Sequence, residues 1–588
     1  MSTLRKIKKA VRGEVKLTTA ALEALRRTRV ALQTRQERAS LDQQDPLNLC
    51  SEIPPQPKFF LKPTPALLPS NELIEWRRDP RSGYVWPLDY HRDISFMRPD
   101  GSDIRVVWEL NRLAHLITLG QAYAASKDER FTDAFLAQLR SWTEQNPYGR
   151  GPNWTCAMEV ALRAINLLAA FHFFRESPQL DTQFLLRLFQ QHGRFIRSNL
   201  EFSYIATSNH YLSDVAGLLW IGVMAPELRD AESWREFGLK EILREMDKQV
   251  LPDGADFESS TGYHRFVTEL FLYSFVLCRD NGIAIDERYW STLRAMLLYI
   301  RGYLRPDGLA PLIGDTDGGQ FLPLQQRRAN DHGYLLEIGA EVFNDPSLRE
   351  PETESKAFPR AGIYIMRHED LYLCFNASGA GINGRGSHGH NDALSIEVCA
   401  GRSAFIVDPG TYVYTADLQK RHDFRSTAYH STVKIDGVEQ NTIHRDMPFV
   451  IGDEAKPRVL SWEKDKIVAE HYGYRRLKDP VTHRRSVTFN ETERYWLIED
   501  EFIGNADHQY EIRFHFAPGL EINSCESAVK LRDPKTDLTL TVSSLTLSGS
   551  TELEQQFTST NYGEMSESFS ACWRFSGRPG KLSWKLSL

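Results

Sequence analysis

The sequence contains few cysteines, and none of them forms a recognisable pattern. Only seven cysteines occur among 588 residues, and no two of them have the spacing Cys-X-X-Cys. The chain is therefore neither a disulfide scaffold nor a carrier of a cysteine zinc site. It also lacks an uninterrupted run of 18 apolar residues, so we expect no transmembrane span. Basic residues are not in excess: 71 Lys and Arg stand against 78 Asp and Glu, a net charge of −7. This balance argues against a nucleic-acid partner.

The amino terminus is basic, but no apolar core of signal-peptide length follows it. Without a secretory signal peptide, the protein is expected to be cytoplasmic or exported by another route. Residues 1–50 form a separate N-terminal basic helical segment in this interpretation, because residues 1–40 have the pattern of an amphipathic basic helix. Such a helix either docks on the body of the protein or lies on an anionic surface, and both interpretations stay open.

The first large region, residues 51–345, has helical periodicity. Apolar residues recur at helical spacing from about residue 100, and several segments are apolar around most of their circumference, as expected of buried helices. Alternating buried and amphipathic helices predict a double-layered helical barrel. The predicted helices are residues 103–126, 129–145, 154–175, 181–200, 210–225, 231–250, 261–280, 286–304 and 331–343.

The second region, residues 346–588, follows a period of two after a polar linker at 345–356. Regularly spaced strands separated by turn signals predict an antiparallel β-sandwich. The predicted strands are residues 363–365, 371–375, 394–398, 404–407, 431–435, 485–489, 495–498, 510–516, 538–542 and 581–586. With 588 residues, the chain is long enough for these two domains besides the N-terminal segment.

The segment Ser387-His-Gly-His-Asn-Asp392 concentrates titratable groups behind the glycine-rich run 381–386. Alternation on an extended strand would place His388, His390 and Asp392 on one face. A structural segment seldom devotes three such positions to titratable groups, so this one is a candidate for binding or catalysis. The alternative is a solvated hairpin tip.

Two predicted helix starts also carry polar side chains. Thr207-Ser-Asn-His-Tyr211 opens a buried helix, and its free N–H groups, with Asn209 and His210, suit a carboxylate. Ser259-Ser-Thr-Gly-Tyr-His-Arg265 opens another, where Tyr263 beside His264 could exchange a proton. Each segment taken alone is also compatible with an ordinary capped helix.

Two further sets of residues are candidates for a metal site. Gly314-Asp-Thr-Asp-Gly-Gly319 is acidic and glycine-rich, but it lacks the length and oxygen spacing of an EF-hand, so we expect no calcium there. His390, Asp408 and His430 offer two imidazoles and one carboxylate, enough for three zinc positions. Their separations match no compact zinc motif, and a hydrogen-bonded Asp–His pair is the alternative.

Together these motifs resemble the heparinase II/III-like polysaccharide lyases, in the same order along the chain. The matching segments are Asn153-Trp-Thr-Cys-Ala-Met-Glu-Val-Ala-Leu-Arg163, Ser208–Tyr211, Ser260–His264, Gly386–Asp392, Val407–Tyr412 and Phe424–His430. The resemblance implies a bacterial protein with an incomplete α/α toroid followed by antiparallel β-sheets. It also implies β-elimination of a uronic-acid-containing, glycosaminoglycan-like polysaccharide, which gives a 4,5-unsaturated uronate.

The resemblance assigns four catalytic positions. It implies that Asn209 and His210 neutralise the uronate carboxylate, that Tyr263 transfers protons, and that His388 is its partner. His390, Asp408 and His430 match positions that hold a structural zinc in some members of the family, and no organic cofactor is expected. Ser213 stands where some members have a glutamate.

General chemistry separates the roles of the two proton-transfer residues. Removal of H5 builds negative charge on the carboxylate, which donors must stabilise in the manner of an oxyanion hole. Because a histidine has a pKa of about 6.5 and a tyrosine about 10, His388 is the less costly base and Tyr263 the acid. For a glucuronate, whose H5 and 4-oxygen share one face, Tyr263 alone could serve both steps.

The remaining expectations concern substrate binding and other functions. Residues that neighbour the motifs are candidates for binding the acidic polysaccharide or oligosaccharide, each with a structural alternative: Asn153, Trp154, Arg163, His264, Arg265, Arg385, Tyr412 and Arg425. The competing functions are a non-catalytic polysaccharide-binding protein of envelope or exopolysaccharide assembly, and a metal-dependent hydrolase. A 4,5-unsaturated product would distinguish the lyase from both.

Overall fold

The structure is a computed structural model, and it describes residues 17–41, 47–50, 58, 74–325, 327–525, 527–547, 551–578 and 580–588. The chain divides into two compact units. The first unit contains residues 1–248, 269–286 and 320–326, and the second contains residues 249–268, 287–319 and 327–588. Two parts of the predicted N-terminal segment, residues 1–16 and 42–46, lie outside the described residues.

The helices occupy most of the first unit, and their bounds follow the predicted pattern closely. In chain order they are α1 Leu17–Ser40, α2 Ile104–Asn111, α3 His115–Ser126, α4 Arg130–Gln145, α5 Ala157–Phe174, α6 Thr182–Ser198, α7 Asn209–Met224, α8 Ala231–Gln249, α9 Thr261–Asp280, α10 Glu287–Tyr303, α11 Tyr334–Phe343 and α12 Leu418–Phe424. Helices α1 to α8, apart from Gln249, belong to the first unit, and α9 begins in the second unit and continues into the first.

Helices α3, α5 and α7 form an inner layer, and α4 and α6 pack against them from outside. The inner helices α5 and α7 are buried along almost their whole length, whereas α6 is buried only on its apolar stripe. An all-apolar helix must be covered on every side, so the sequence pattern alone separates the two layers. Within the described residues, α5 is the one helix apolar and long enough to cross a membrane, and 89% of that stretch is buried inside the protein.

The single helix predicted at 103–126 is wrong, because two helices occupy this stretch. Leu113 lies between α2 and α3 with φ of +58°, a backbone conformation that ends an α-helix. The apolar periodicity continues through the break, so the pattern does not reveal it.

The second unit contains three antiparallel sheets. A five-stranded sheet follows chain order: β1 Lys356–Phe358, β2 Ile363–His368, β3 Leu371–Asn376, β4 Ser395–Ala400 and β5 Ser403–Ile406. A four-stranded sheet has the order β15 Glu552–Thr558, β16 Ser566–Gly577, β11 His508–His515 and β6 Val433–Ile435. An eight-stranded sheet has the order β12 Glu521–Cys525, β13 Ala528–Arg532, β14 Thr539–Ser544, β17 Lys581–Ser587, β10 Tyr495–Ile503, β9 Thr482–Asn490, β8 Lys466–His471 and β7 Arg458–Glu463.

One apolar core contains side chains from all three sheets, among them Phe375, Val487, Ile498, Phe514 and Trp573. Strands β2, β3 and β4 are buried at every position, as expected of strands covered on both faces. Strands β9 and β10 alternate buried and half-buried residues. The ten predicted strands are present, with ends shifted by a few residues.

Seven strands were missed: β1, β7, β8, β12, β13, β15 and β16. Strand β7 has its residues exposed or half-buried throughout, and four of the five residues of β12 are exposed. Because such edge strands bury little, their sequences carry no clear apolar alternation.

Candidate active site

In the second unit, four segments place titratable side chains around Asp315. The Asp315 carboxylate is fully buried, and its Oδ2 accepts hydrogen bonds from Nδ1 of His388 and Nη2 of Arg421, both at 2.8 Å. Its Oδ1 accepts from Nε2 of His390 at 2.9 Å and from Nη1 of Arg421. Burial alone would raise the pKa of Asp315, but the Arg421 charge and the two histidine hydrogen bonds hold that pKa well below its usual range. Asp315 is therefore an ionised carboxylate that fixes both histidines.

A glycine allows Asp315 to reach this position. Gly314 has φ of +66°, and a Cβ there would lie 2.6 Å from the backbone oxygen of Ser259 and 2.7 Å from that of His388. The backbone N–H of Asp315 also donates to the backbone oxygen of His388 at 2.8 Å. Only glycine tolerates both the left-handed backbone and this close approach.

Tyr263 stands on the first turn of α9, as the sequence predicted. The Ser260 hydroxyl accepts the Tyr263 backbone N–H at 3.0 Å and caps the helix. The Tyr263 phenol donates to Oδ2 of Asp317 at 3.0 Å, and the Tyr414 phenol donates to the same oxygen at 3.2 Å. The two phenol oxygens lie 3.2 Å apart. Burial, with the charges of Asp315 and Asp317, raises the pKa of Tyr414 well above its usual range.

The rings of Tyr263 and His388 are stacked, with centroids 3.5 Å apart and planes inclined by 16°. The Nε2 atom of His388 lies 3.4 Å from a carboxylate oxygen of Glu258. Phe449, which is 37% exposed, stands edge-on to both His388 and Tyr414, with centroid distances of 6.0 and 4.9 Å. The stacked pair of Tyr263 and His388 thus lies beside an accessible aromatic ring.

The hydrogen bonds determine which nitrogen of His388 can accept a proton. Because Asp315 is ionised, its oxygen can only accept, so Nδ1 of His388 carries the hydrogen. Nε2 is then the basic nitrogen. The same reasoning applies to His390, whose Nε2 donates to Asp315 and whose Nδ1 is left with a lone pair.

The extended conformation considered for residues 387–392 is not observed, because these residues form an irregular loop before β4. His388 and His390 nevertheless converge on opposite oxygens of Asp315. Asp392 does not join them: it is buried, and burial raises its pKa. The histidines are held by the Asp315 carboxylate, which Arg421 fixes in turn, and not by backbone pairing in a strand.

His390, Asp408 and His430 form a compact, buried trio of candidate metal ligands. One potential ligand atom from each lies within 4.8 Å of the others. His430 donates from Nδ1 to Oδ2 of Asp408 at 2.9 Å. Within the described part of the chain, the buried atoms His390 Nδ1 and His430 Nε2 have no hydrogen-bond partner. Two unpartnered imidazole nitrogens beside a carboxylate fit a zinc ion.

The first unit holds Asn209 and His210 at the start of α7, with Ser208 at the N-cap position. Asn209 is buried, and the His210 Nδ1 atom lies 2.7 Å from a carboxylate oxygen of Glu201. The other oxygen of Glu201 accepts from the Cys156 thiol at 3.1 Å. Although burial opposes it, the attraction of His210 lowers the pKa of Glu201 to about 2. An ionised Glu201 therefore orients the His210 ring.

Most of the residues predicted to bind substrate are buried and bonded within their own unit. Arg163 donates to His192 and to the backbone oxygen of Asn153, and its guanidinium lies over the Trp154 ring. His264 contacts the backbone oxygen of Met296 through Nε2. The fully or almost fully buried ones are Asn153, Trp154, Arg163, His264, Arg265 and Arg425. Their surroundings favour roles in holding the fold, and a substrate contact by them stays a prediction.

Arg385 and Tyr412 are half-buried and retain accessible surface. Tyr412 has φ of +64°, and its ring packs against Phe424. The pKa of Arg385 is lowered by burial. Both remain candidates for substrate binding.

Sequence reasoning missed four residues that hold the catalytic candidates in place: Asp315, Asp317 and Arg421 in the second unit and Glu201 in the first. The sequence pattern marks the loop at 314–319 only as a segment to test for calcium binding. In this loop Asp315 and Asp317 are two residues apart and flanked by glycines. Two such aspartates can bond two different partners, and this spacing was the signal that could have identified them. Nothing in the local sequence marks Arg421 or Glu201.

The chain belongs to the heparinase II/III-like family. Residues 2–328 match the model of the heparinase II/III N-terminus, and residues 350–585 match that of the heparinase II/III-like C-terminal region. A heparin-sulfate lyase of Pedobacter heparinus is 26% identical over 451 residues, which cover 73% of this chain and 64% of that protein. The match thus spans less than two thirds of that relative's length.

Solved structures show the same fold. A heparan sulfate lyase HepC mutant from Pedobacter heparinus superposes with a TM-score of 0.62 at 22% identity, covering 100% of this chain and 91% of that one. A chondroitin AC lyase of Streptomyces coelicolor A3 gives a TM-score of 0.54 at 11% identity, covering 81% and 74%. The predicted fold class, an incomplete α/α toroid followed by an antiparallel β-sandwich, is confirmed.

Proposed function

We propose that this protein is a polysaccharide lyase that cleaves uronic-acid-containing, glycosaminoglycan-like polysaccharides by β-elimination. The observation that carries the proposal is the stacked pair of Tyr263 and His388, each bonded to a different aspartate of the loop 314–319. The relative from Pedobacter heparinus, named a heparin-sulfate lyase, supports the substrate class.

His388 serves as the base in this proposal. Asp315 fixes the hydrogen on Nδ1, so Nε2 can accept H5 of the uronate. This is the arrangement by which a buried aspartate orients a catalytic histidine in hydrolytic triads. The imidazolium that forms lies between Asp315 and Glu258, a carboxylate oxygen of which is 3.4 Å from Nε2, and the ionised Asp315 stabilises its positive charge.

Tyr263 serves as the acid. Because its phenol donates to Asp317, it carries its proton when the substrate arrives. As His388 takes H5, the electrons of the C5–H bond form the C4=C5 double bond and the C4–O bond breaks. The leaving oxygen then takes the phenol proton, and the product is a 4,5-unsaturated uronate.

Hydrogen-bond donors must stabilise the negative charge that grows on the uronate carboxylate as H5 is removed. The family resemblance assigns Asn209 and His210 to it, and we retain that assignment. Glu201 supports it, since a hydrogen-bonded carboxylate holds the imidazole in one orientation. One donor of this kind contributes about 3–4 kcal/mol to transition-state stabilisation in other enzymes.

A zinc ion, if bound, would be held by His390, Asp408 and His430. Its contribution there would be structural, since it would fix the loop that carries His388. His390 would coordinate through Nδ1 while Nε2 donates to Asp315, the outer-shell hydrogen bond that metal-bound histidines usually make. The elimination described above uses only side chains of the chain.

An absorbance assay for the unsaturated product tests the proposal. A panel of heparin-like, chondroitin-like, alginate-like and hyaluronan-like polymers is digested, and the enoate band is followed. We expect product from at least one polymer, and loss of roughly 10² to 10³ in rate for Asn209→Ala. Binding of a polymer without an enoate would favour the non-catalytic alternative, and cleavage without an enoate would favour the hydrolase.

A further inference from the structure

One face of helix α1 packs against the rest of the first unit. On this face the Glu23 side chain is 1% exposed and accepts the backbone N–H of Tyr204 at 3.2 Å. About three and four turns further along, Gln33 donates to the backbone oxygen of Ser198 at 2.8 Å, and Glu37 accepts from the Tyr90 phenol at 3.2 Å. Docking of the helix, one of the two interpretations of the sequence, is thus seen for residues 17–40.

The opposite face of α1 presents leucines to solvent. Leu22, Leu25 and Leu32 are 46%, 68% and 57% exposed. Their spacings of three and seven residues place them along one side of a helix with 3.6 residues per turn. Burying a leucine is favourable, so three exposed ones on one stripe mark a contact surface.

Arginines border this stripe, and the acidic residues are turned away from it. Arg29 and Arg35 are exposed beside the leucines, whereas Glu23 and Glu37 lie on the docked face. Residues 1–40 contain eleven Lys and Arg and three Glu, a net charge of +8, although the whole chain carries −7. Helix α1 itself, residues 17–40, carries five Arg and two Glu, a net charge of +3. A basic helix with an apolar stripe is complementary to an anionic lipid surface.

We propose that α1 is a membrane-surface helix that holds the protein on an anionic lipid bilayer. Leu22, Leu25 and Leu32 would enter the boundary between headgroups and acyl chains, while Arg29 and Arg35 contact lipid phosphates. The helix would lie in the plane of the membrane, because its docked face stays bound to the first unit. This surface is separate from the residues assigned to the elimination, so the inference does not rest on the proposed function.

Vesicle co-sedimentation of the full chain tests this proposal. With vesicles of phosphatidylglycerol and phosphatidylcholine we expect binding, and with pure phosphatidylcholine vesicles at least tenfold weaker binding. The triple variant Leu22→Ser, Leu25→Ser, Leu32→Ser should bind the anionic vesicles at least tenfold more weakly. A matched control, Leu460→Ser, Leu545→Ser, Leu553→Ser, removes exposed leucines of the second unit and should bind like the wild type.

Charge is tested separately. The double variant Arg29→Gln, Arg35→Gln should weaken binding several-fold, and added salt should weaken wild-type binding. Absence of binding to anionic vesicles, or equal losses in the two leucine triple variants, would overturn the proposal. It would also be overturned if sedimentation velocity showed a wild-type dimer that the Leu22, Leu25 and Leu32 substitutions dissociate without any change in vesicle binding. The face would then be an interface between two copies of the chain.

Discussion

The Tyr263 ring lies flat on the imidazole of His388, and each is hydrogen-bonded to its own aspartate, Asp317 and Asp315. The two aspartates are separated by a single threonine, so one short loop fixes both side chains. Stacking sets the distance between the rings, and the carboxylates set which atoms carry hydrogen. Substitutions at these residues can therefore distinguish side chains that transfer protons from side chains that only hold them in place.

Tyr263→Phe should lower the rate of unsaturated product formation by about 10² to 10⁴, the usual contribution of a general acid or base. The ring stack is preserved and the fold should be unchanged by circular dichroism. Tyr414→Phe is the matched control, because it also removes a phenol bonded to Asp317 but not the transferring one. We expect it to lose less than tenfold. Comparable losses in the two variants would contradict the assignment of Tyr263 as the acid.

Asp315→Asn should affect activity and stability together. Without the carboxylate, His388 can adopt the other tautomer, and orienting aspartates of this kind contribute roughly 10⁴ to the rate in hydrolytic triads. The buried Arg421 loses its partner, which costs about 3–5 kcal/mol in the free energy of unfolding, measurable in urea. Arg421→Gln is the control: it breaks the same ion pair but keeps the Asp315–His388 hydrogen bond. If both variants lost activity equally, Asp315 would contribute to activity only by stabilising the folded protein, and not by orienting His388.

The trio His390, Asp408 and His430 should bind one equivalent of zinc, measured by elemental analysis of protein purified without chelator. His430→Ala should abolish this binding, and chelation should lower the melting temperature of the wild type, since a ligand of the folded state stabilises it. His422→Ala, a histidine that bonds the backbone oxygen of Arg445, should retain the metal. Wild-type protein that takes up no zinc, and melts at the same temperature with and without it, would exclude the site.

Much of the fold could be predicted from the sequence because long apolar patterns dominate it. Helix α7 is apolar on all sides and buried on all sides, and α9 begins within one turn of Tyr263, as predicted. The apolar pattern did not predict elements whose structure does not depend on side-chain burial. The helix break at Leu113 is a change of backbone conformation to positive φ, and the apolar pattern continues through it. Strands such as β7 expose most of their side chains and therefore show no apolar alternation.

The site was predictable only in part. His388, His390 and Tyr263 stood out because their residue types cluster locally. Asp315 and Arg421 are 106 residues apart, and their pairing depends on tertiary structure that no local spacing encodes. The single face expected for His388, His390 and Asp392 is absent for the same reason, since the distant Asp315 holds the two histidines in a loop. A short acidic, glycine-containing segment near an apolar core is therefore a candidate for orienting histidines as well as for binding cations.

Phe449 should contribute to substrate binding rather than to proton transfer. Its ring is exposed beside His388 and Tyr414, and the apolar face of a sugar can pack on such a ring. An aromatic contact of about 0.5–1.5 kcal/mol corresponds to a rise in KM of about two- to tenfold for Phe449→Ala, with little change in kcat. Phe449→Tyr should restore most of the affinity, and Phe96→Ala, at an exposed phenylalanine of the first unit, should leave KM unchanged. If Phe449→Ala lowered kcat and left KM unchanged, the ring would instead support the proton-transfer pair.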